Sequence, residues 1–458
     1  MSAASRRDFL KASGLVVMAG AGGFLGFDQF VRGEGDSGLP IKANDDRQKP
    51  TLVTIFLRGG ADSLHIFVPV GDPIYYQYRK NLVLRATATK GAFKSQKGVV
   101  ALGKSDYWGM NASMESLVPL IEKGTVVPMV NVGSPNGTRS HFSAQDYMER
   151  AAPGENAVTT GWLNRYLEAT KKPYDAPLRG LSAMNLVPRA LRGNYPVLAG
   201  NNSTEEMDLF ADLYSKKNLV GMDARESGGD TKGGSLDQLN TREAPKGLSA
   251  DAARDLIAQS GANAVERLKA LEQVASSEND ADYPGGPLST QLKTIARVIK
   301  ANVGLEVAQA DYGGWDTHSG QGNAGGHMSQ MLKNLSQNLV AFQQDLGSRM
   351  NRVMVLVMTE FGRTLHENGA NGTDHGRAGM MIAMGNMLNG GKIYGTWNGL
   401  KDTDSGRFLP VHTDFRAVFA ESLNKLFHVD PVKLKLFPDW YPTGTSLLNF
   451  AQPVKFEA

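Results

Sequence analysis

The chain contains no cysteine. That excludes disulfides, thiolate-bound zinc and cysteine nucleophiles together, so any metal must be held by Asp, Glu, His or hydroxyl oxygen. Charge of one sign is scarce as well. Lys and Arg number 49 against 46 Asp and Glu, and Arg6, Arg7 and Lys11 at the extreme N-terminus contribute to the net charge of +3. No basic stripe of the kind that follows a phosphate backbone is visible, so nucleic acid is not an expected partner. Long apolar runs are missing too. Leu15 to Phe27 is shorter than the ~20 apolar residues a spanning helix prefers. Five glycines also punctuate the stretch from Gly14 to Gly26, and each costs a helix roughly 1 kcal/mol against alanine.

The residues before that stretch give it another meaning. Ser5-Arg6-Arg7-Asp8-Phe9-Leu10-Lys11 is a basic start with paired arginines, and no further charge follows Lys11 until Asp28. These are the marks of a twin-arginine signal. Residues 1–42 are therefore expected to be a signal peptide and linker, cleaved between Gly20 and Lys42. The expected export partner is the twin-arginine translocase, which delivers folded cargo to the periplasm or beyond. No other segment reads as a membrane span.

Three apolar runs read as buried strands: Leu52–Leu57, Val126–Val132 and Val353–Met358. Strands without polar alternation are those covered on both faces, as in parallel sheets. A helical stripe is formed by Met328, Met331, Leu332, Leu335, Leu339, Phe342 and Leu346. Similar patterns run from Ala252 to Val274, from Leu292 to Val303, and from a cap at Thr413 or Asp414 to about Phe427. The alternation predicts a three-layer α/β fold. Residues 43–458 read as one domain, interrupted near 221–247 by a flexible insertion rich in glycine, serine and charge.

Four glycine-flanked segments concentrate metal-type ligands. Asp62 closes Gly59-Gly60-Ala61-Asp62 at the end of the first strand, where the ligand crevice of an open parallel sheet lies. Taken alone it reads as a turn aspartate or helix cap. Thr138-Arg139-Ser140-His141-Phe142 offers a hydroxyl, an anion clamp and an imidazole. It reads equally as the start of a capped helix with Gln145, Asp146 and Glu149 on its exposed face. Asp316 and His318 lie two apart after a strand expected over Leu305–Ala308, which places them on one face of an extended segment. His327 follows at the start of the Met328 stripe. The fourth segment carries the most: the Val353–Met358 strand runs into Thr359-Glu360-Phe361-Gly362-Arg363-Thr364, then into Asp374-His375-Gly376-Arg377. Asp374 and His375 can address one ion or bridge two, and the neighbouring arginines can bind an anion.

In this order, Gly59 to Asp62, Thr138 to Phe142, Gly161-Trp162-Leu163-Asn164-Arg165, Gly313 to His318, Thr359 to Thr364 and Asp374 to Gly376 resemble one exported bacterial family. It is the domain-of-unknown-function family fifteen-oh-one, commonly grouped with the alkaline phosphatase and sulfatase superfamily. The resemblance spans Leu52 to Leu448. It implies a doubly wound, mostly parallel sheet with helices on both faces, and a divalent metal, zinc or manganese, as one or two ions over the strand ends. Asp374 and His375 resemble the superfamily's Asp-His pair, Asp62 its first-strand aspartate, and Asp316 and His318 a second metal's ligands at closer spacing. Glu360 joins these as a metal candidate. Ser140, or else Thr138, stands near the place of the hydroxyl nucleophile, beside His141 and Arg139.

The formylglycine sulfatases need cysteine or serine before x-Pro-x-Arg, and Ser134-Pro135-Asn136 does not fit that pattern. The expected activity is metal-dependent hydrolysis of small anionic phosphoric or sulfuric esters, with Arg139, Arg363 or Arg377 gripping the ester oxygens. The alternatives are a non-catalytic binding or assembly protein that retains the fold, and a structural cell-envelope protein whose insertion meets a partner.

Overall fold

Along Thr51–Arg58 (β1) only the last residue reaches solvent, and the side chains divide by parity. Val53, Ile55 and Leu57 enter one apolar cluster, while Leu52 and Phe56 enter another. Val353–Met358 (β6) divides in the same way, with Val353, Val355 and Val357 on the first side and Met354, Leu356 and Met358 on the second. A strand with period-two side chains and both faces apolar must have a layer on each face.

The structure, a computed structural model, describes residues 49–200, 274 and 277–454, apart from 86, 90–91, 95–97, 103–104, 173–175, 177 and 442–447. The basic N-terminal segment, the insertion near 221–247 and most of the helix expected from Ala252 to Val274 lie outside the described residues.

The remaining strands of the main sheet are Val126–Gly133 (β2), Gly180–Ser182 (β3), Leu198–Ala199 (β4), Val307–Gly313 (β5), Gly379–Met384 (β7) and Thr413–Asp414 (β8). Their spatial order is β8-β2-β7-β6-β1-β5-β3-β4. All neighbours pair in parallel except β7, which runs antiparallel between β2 and β6. The five helices that matter here are His141–Arg150 (α1), Trp162–Ala169 (α2), Pro287–Lys300 (α3), His327–Leu346 (α4) and Phe415–Phe427 (α5). Helices α3 and α4 bring Leu292, Ile295, Leu332, Leu335 and Phe342 to the first cluster. Helices α2 and α5 bring Trp162, Leu163, Phe415, Phe419 and Leu423 to the second, where Trp162 and Phe419 stack at 4.3 Å. The expected three-layer α/β architecture is present.

Several boundaries differ from expectation. The strand expected over Leu305–Ala308 starts at Val307 and runs on to Gly313, because each residue from Leu52 to Arg58 pairs with one of Val307 to Gly313. The cap of α5 is Asp414, whose side chain accepts from the Arg416 N–H. Gln145 and Asp146 are half-buried and Glu149 is 4% exposed, so these residues do not form a solvated face. Instead, Glu149 and Gln145 accept from the Arg58 guanidinium at 3.1 Å, which draws the α1 face inward.

Candidate metal centre

The parallel strands β1, β5 and β6 end on one edge of the sheet, and the antiparallel β7 begins there. This reversal explains why the site gathers residues after β1, β5 and β6 but before β7. Gly59 and Gly60 follow β1, Asp316 and His318 follow β5, Glu360 follows β6, and Asp374 and His375 precede β7. The α1 helix, reached from the end of β2, adds His141 at its first position.

Close approach of these loops depends on glycine. Gly59 has φ +124°, and a Cβ on it would stand 2.4 Å from the Asp316 backbone nitrogen. Its own N–H donates to Glu360 at 2.9 Å. Thr359 ties the same edge together: its hydroxyl donates to the Leu57 carbonyl and accepts from the Ala61 N–H, both at 2.9 Å.

Three imidazoles are oriented in one pattern. His141 Nδ1 meets Glu360 Oε1 at 2.7 Å, His318 Nδ1 meets Asp374 Oδ1 at 3.0 Å, and His375 Nδ1 meets the Arg139 carbonyl at 2.7 Å. A carbonyl only accepts, so His375 carries its proton on Nδ1. The two carboxylates favour the same tautomer in the other rings. Each Nε2 is left as a lone pair, and the three converge on Asp316. Asp316 oxygens lie 3.3 Å from His141 Nε2, 3.2 Å from His318 Nε2 and 3.3 Å from His375 Nε2. His318 Nε2 and His375 Nε2 stand 2.8 Å apart. Two lone pairs that close need a proton on one ring or a cation between them. His141 Nε2 is buried and lacks hydrogen-bond geometry to any partner, despite its contact with Asp316.

This donor set fits a metal ion. Donors about 2.0–2.1 Å from a tetrahedral zinc stand about 3.3 Å from one another, which is the spacing of Asp316 Oδ1 from the Nε2 atoms of His318 and His375 and of Asp316 Oδ2 from His141 Nε2. The hydrogen-bonded Nδ1 atoms are the outer partners that metal-binding histidines ordinarily have. One ligand atom from each of His141, Asp316 and His375 lies within 4.8 Å of the other two.

The electrostatics follow from these contacts. Burial pushes the Glu360 carboxyl up, but hydrogen bonds from His141 and Gln145 outweigh it and hold Glu360 below the usual carboxylate range. The Glu360 hydrogen bond raises His141. Burial lowers His375, which keeps that ring neutral. For Asp316, burial is opposed and outweighed by the Arg363 guanidinium, with a net downward shift.

Each expected site residue can now be placed. Asp316, His318 and His375 stand together. His141, read from sequence as part of the catalytic group, stands among the candidate ligands. Glu360 and Asp374 lie one step outside, where they orient imidazoles. Asp62 is not with them: it is 1% exposed, caps Leu64, and is locked in a buried ion pair with Arg79, so its oxygens are already taken. Ser140 is exposed at the α1 N-cap and makes no side-chain cap hydrogen bond. Arg139 is exposed, with its guanidinium over the Phe408 ring at 4.7 Å. Arg363 is buried and donates to the carbonyls of Gly59, Gly60, Trp315 and Thr373. Arg377 pairs with Asp404. Of the three arginines expected to grip an anion, only Arg139 has its guanidinium outside an ion pair among the described residues.

Glu360 is the orienting residue with the clearest consequence. It accepts from His141, Gln145 and Gly59 at the bottom of the site. Glu360→Gln is expected to weaken metal affinity by about 10–100-fold, the usual cost of losing an outer partner. Competition titration with a chelator checks this, and an unchanged affinity would remove Glu360 from the site.

The family described as "Protein of unknown function (DUF1501)" matches residues 49–427. No curated protein matches the chain. No helix of the described residues is long and apolar enough to cross a membrane.

Proposed function

This chain belongs to the DUF1501 family, and from that starting point we propose that it is an exported, metal-dependent hydrolase of phosphoric or sulfuric esters. In this reading its fold is that of the alkaline phosphatase superfamily. The observation that carries it is the convergence of the Nε2 atoms of His141, His318 and His375 on Asp316, with every Nδ1 already held. Three imidazoles and one carboxylate favour zinc over manganese, which prefers oxygen. Asp62, Glu360 and Asp374 are engaged elsewhere, which favours one ion over two. When bound, the ion supplies Lewis acidity toward the ester oxygens.

The chain's own residues do the rest. Ser140 lies next to His141, at the start of a ten-residue helix whose first N–H groups favour an anion. Those amides and Arg139 hold the ester oxygens. The Ser140 oxygen forms a bond to phosphorus or sulfur while the bond to the alcohol oxygen breaks. The hydroxyl proton passes to solvent, the alcohol leaves with one, and water then restores the serine.

Chromogenic phosphate and sulfate esters test this, together with Ser140→Ala. Turnover is expected to vanish in the variant with unchanged metal content and stability, since the hydroxyl makes no cap bond whose loss would cost ~1 kcal/mol. Retained turnover would remove Ser140 from the reaction.

The rival reading, a non-catalytic binding protein, is favoured by one observation. His318 Nε2 stands 3.2 Å from Asp316 and 2.8 Å from His375, beside the mutually close set of His141, Asp316 and His375, so a fourth protein donor is at hand to close a tetrahedral site, and closed zinc sites are structural.

Export through the twin-arginine route rests on Arg6-Arg7 and the short apolar run behind them. Changing both arginines to lysine is expected to leave the precursor in the cytoplasm. Cell fractionation reads this out, and normal recovery outside the cytoplasm would refute it.

A further inference from the structure

Among the three imidazoles, His318 differs from the other two. Its side chain is 45% exposed, against 23% for His141 and 24% for His375. Asp316, equally exposed, is anchored by the buried Arg363 guanidinium. The rings of His141 and His375 are held from below and from the side. His141 rests on the fully buried Glu360 carboxylate, and His375 on a main-chain carbonyl. Phe361 packs against both at 4.9 and 5.0 Å. His318 is held at Nδ1 by Asp374, a carboxylate that is itself 49% exposed, and its ring lies against His375 at 4.6 Å. It also crowds His375, with 2.8 Å between the two Nε2 atoms, whereas the contacts to Asp316 are 3.2 and 3.3 Å.

We propose that His318 is a displaceable donor: His141, Asp316 and His375 hold the ion, and an anionic oxygen of the ester takes the place of His318. This rests on the metal reading above and deepens it, because it turns a site that four donors would close into one with an exchangeable position. The exchange balances simply. The Nε2 lone pair leaves and an oxygen lone pair arrives, while Nδ1–H stays with Asp374, so no proton moves. The solvent-facing edge of the site is therefore the entry for substrate, and Asp374 is the positioning residue that retains the displaced ring.

The test uses the full exported protein with cobalt(II) as the probe, read by metal content per chain and by visible absorption. His318→Ala is expected to weaken cobalt binding by less than about tenfold. His375→Ala should exceed about 100-fold, beyond the usual cost of losing an outer partner. The His318→Ala spectrum should differ from wild type and return toward it when imidazole is added, because the exposed position admits a free ring. Inorganic phosphate should shift the wild-type spectrum toward that of phosphate-treated His318→Ala.

Equal cobalt loss in the two alanine variants would overturn the proposal and make His318 a permanent ligand, as the structural-site reading requires. A His318→Ala spectrum identical to wild type would overturn it from the other side, by showing that His318 is no donor at all. If His318→Ala does not fold by circular dichroism, His318→Gln is read in the same way. A wild-type protein that binds no cobalt would overturn the metal reading itself and this inference with it.

Discussion

Replacing Arg363 with alanine is expected to cost the folded protein about 3–5 kcal/mol, read as a drop in the urea midpoint at unchanged slope. The guanidinium is 2% exposed and donates to four carbonyls and to Asp316 Oδ1, the last at 2.6 Å. Truncation leaves those acceptors buried without a donor, and each such group costs about 1–3 kcal/mol unless water reaches it. The loops after β1 and β5 and the one before β7 lose their common tie at the same time. Arg363→Lys should recover little, because one ammonium cannot reproduce a planar fork aimed at five acceptors. A residue that gripped substrate would behave differently: turnover would fall and stability would stay. An alanine variant within about 1 kcal/mol of wild type would refute the structural role.

The second large effect is expected at Asp62. Both it and Arg79 are 1% exposed, and Arg79 also donates to the carbonyls of Leu365 and Thr364. Asp62→Asn leaves a buried guanidinium without its counter-charge, a change that costs about 3–5 kcal/mol. Metal content should be unchanged, because Asp62 is not among the converging donors. Loss of stoichiometric metal would restore Asp62 to the ligand set.

The pH dependence gives an independent check. Burial pushes the Asp62 carboxyl up, but the Arg79 charge and hydrogen bond outweigh it and hold it below the usual carboxylate range. A carboxylate depressed in the folded state stabilises at pH above its unfolded value of about 3.9, and that stability is lost as pH falls through the folded value. Wild type and Asp62→Asn should therefore differ most at neutral pH and converge below about pH 4.

The framework was largely legible in the chain. Leu52 to Leu57 and Val353 to Met358 lack polar alternation because both faces are covered, and that pattern needs no tertiary knowledge. Asp316, His318 and His375 were legible as ligand types beside glycines after or before strands. What sequence could not separate is a ligand from the residue that orients a ligand. Glu360, Asp374 and Asp316 are all carboxylates on neighbouring loops, and only the direction of each imidazole assigns their roles. The Arg139 contribution is a carbonyl, which any residue supplies, so no side-chain pattern announces it. Asp62 was misplaced because Arg79, its partner, sits in a segment with no recognisable motif. His141 had a signal, its position after β2 at a helix start, but that signal equally suits a residue of the catalytic group.

The central strand is also the first to be made. Leu52 lies opposite Val307 on one side and Met354 on the other, so β1 has no neighbour in the sheet until most of the chain exists. At about 5–20 residues per second, the ribosome needs roughly 12–50 s to make the ~250 residues that separate β1 from β5. For that interval an apolar strand with both edges open is exposed to other chains, which makes the nascent protein a client for holdase chaperones. Slow synthesis or truncation upstream of β5 should therefore yield aggregates in place of a smaller folded unit.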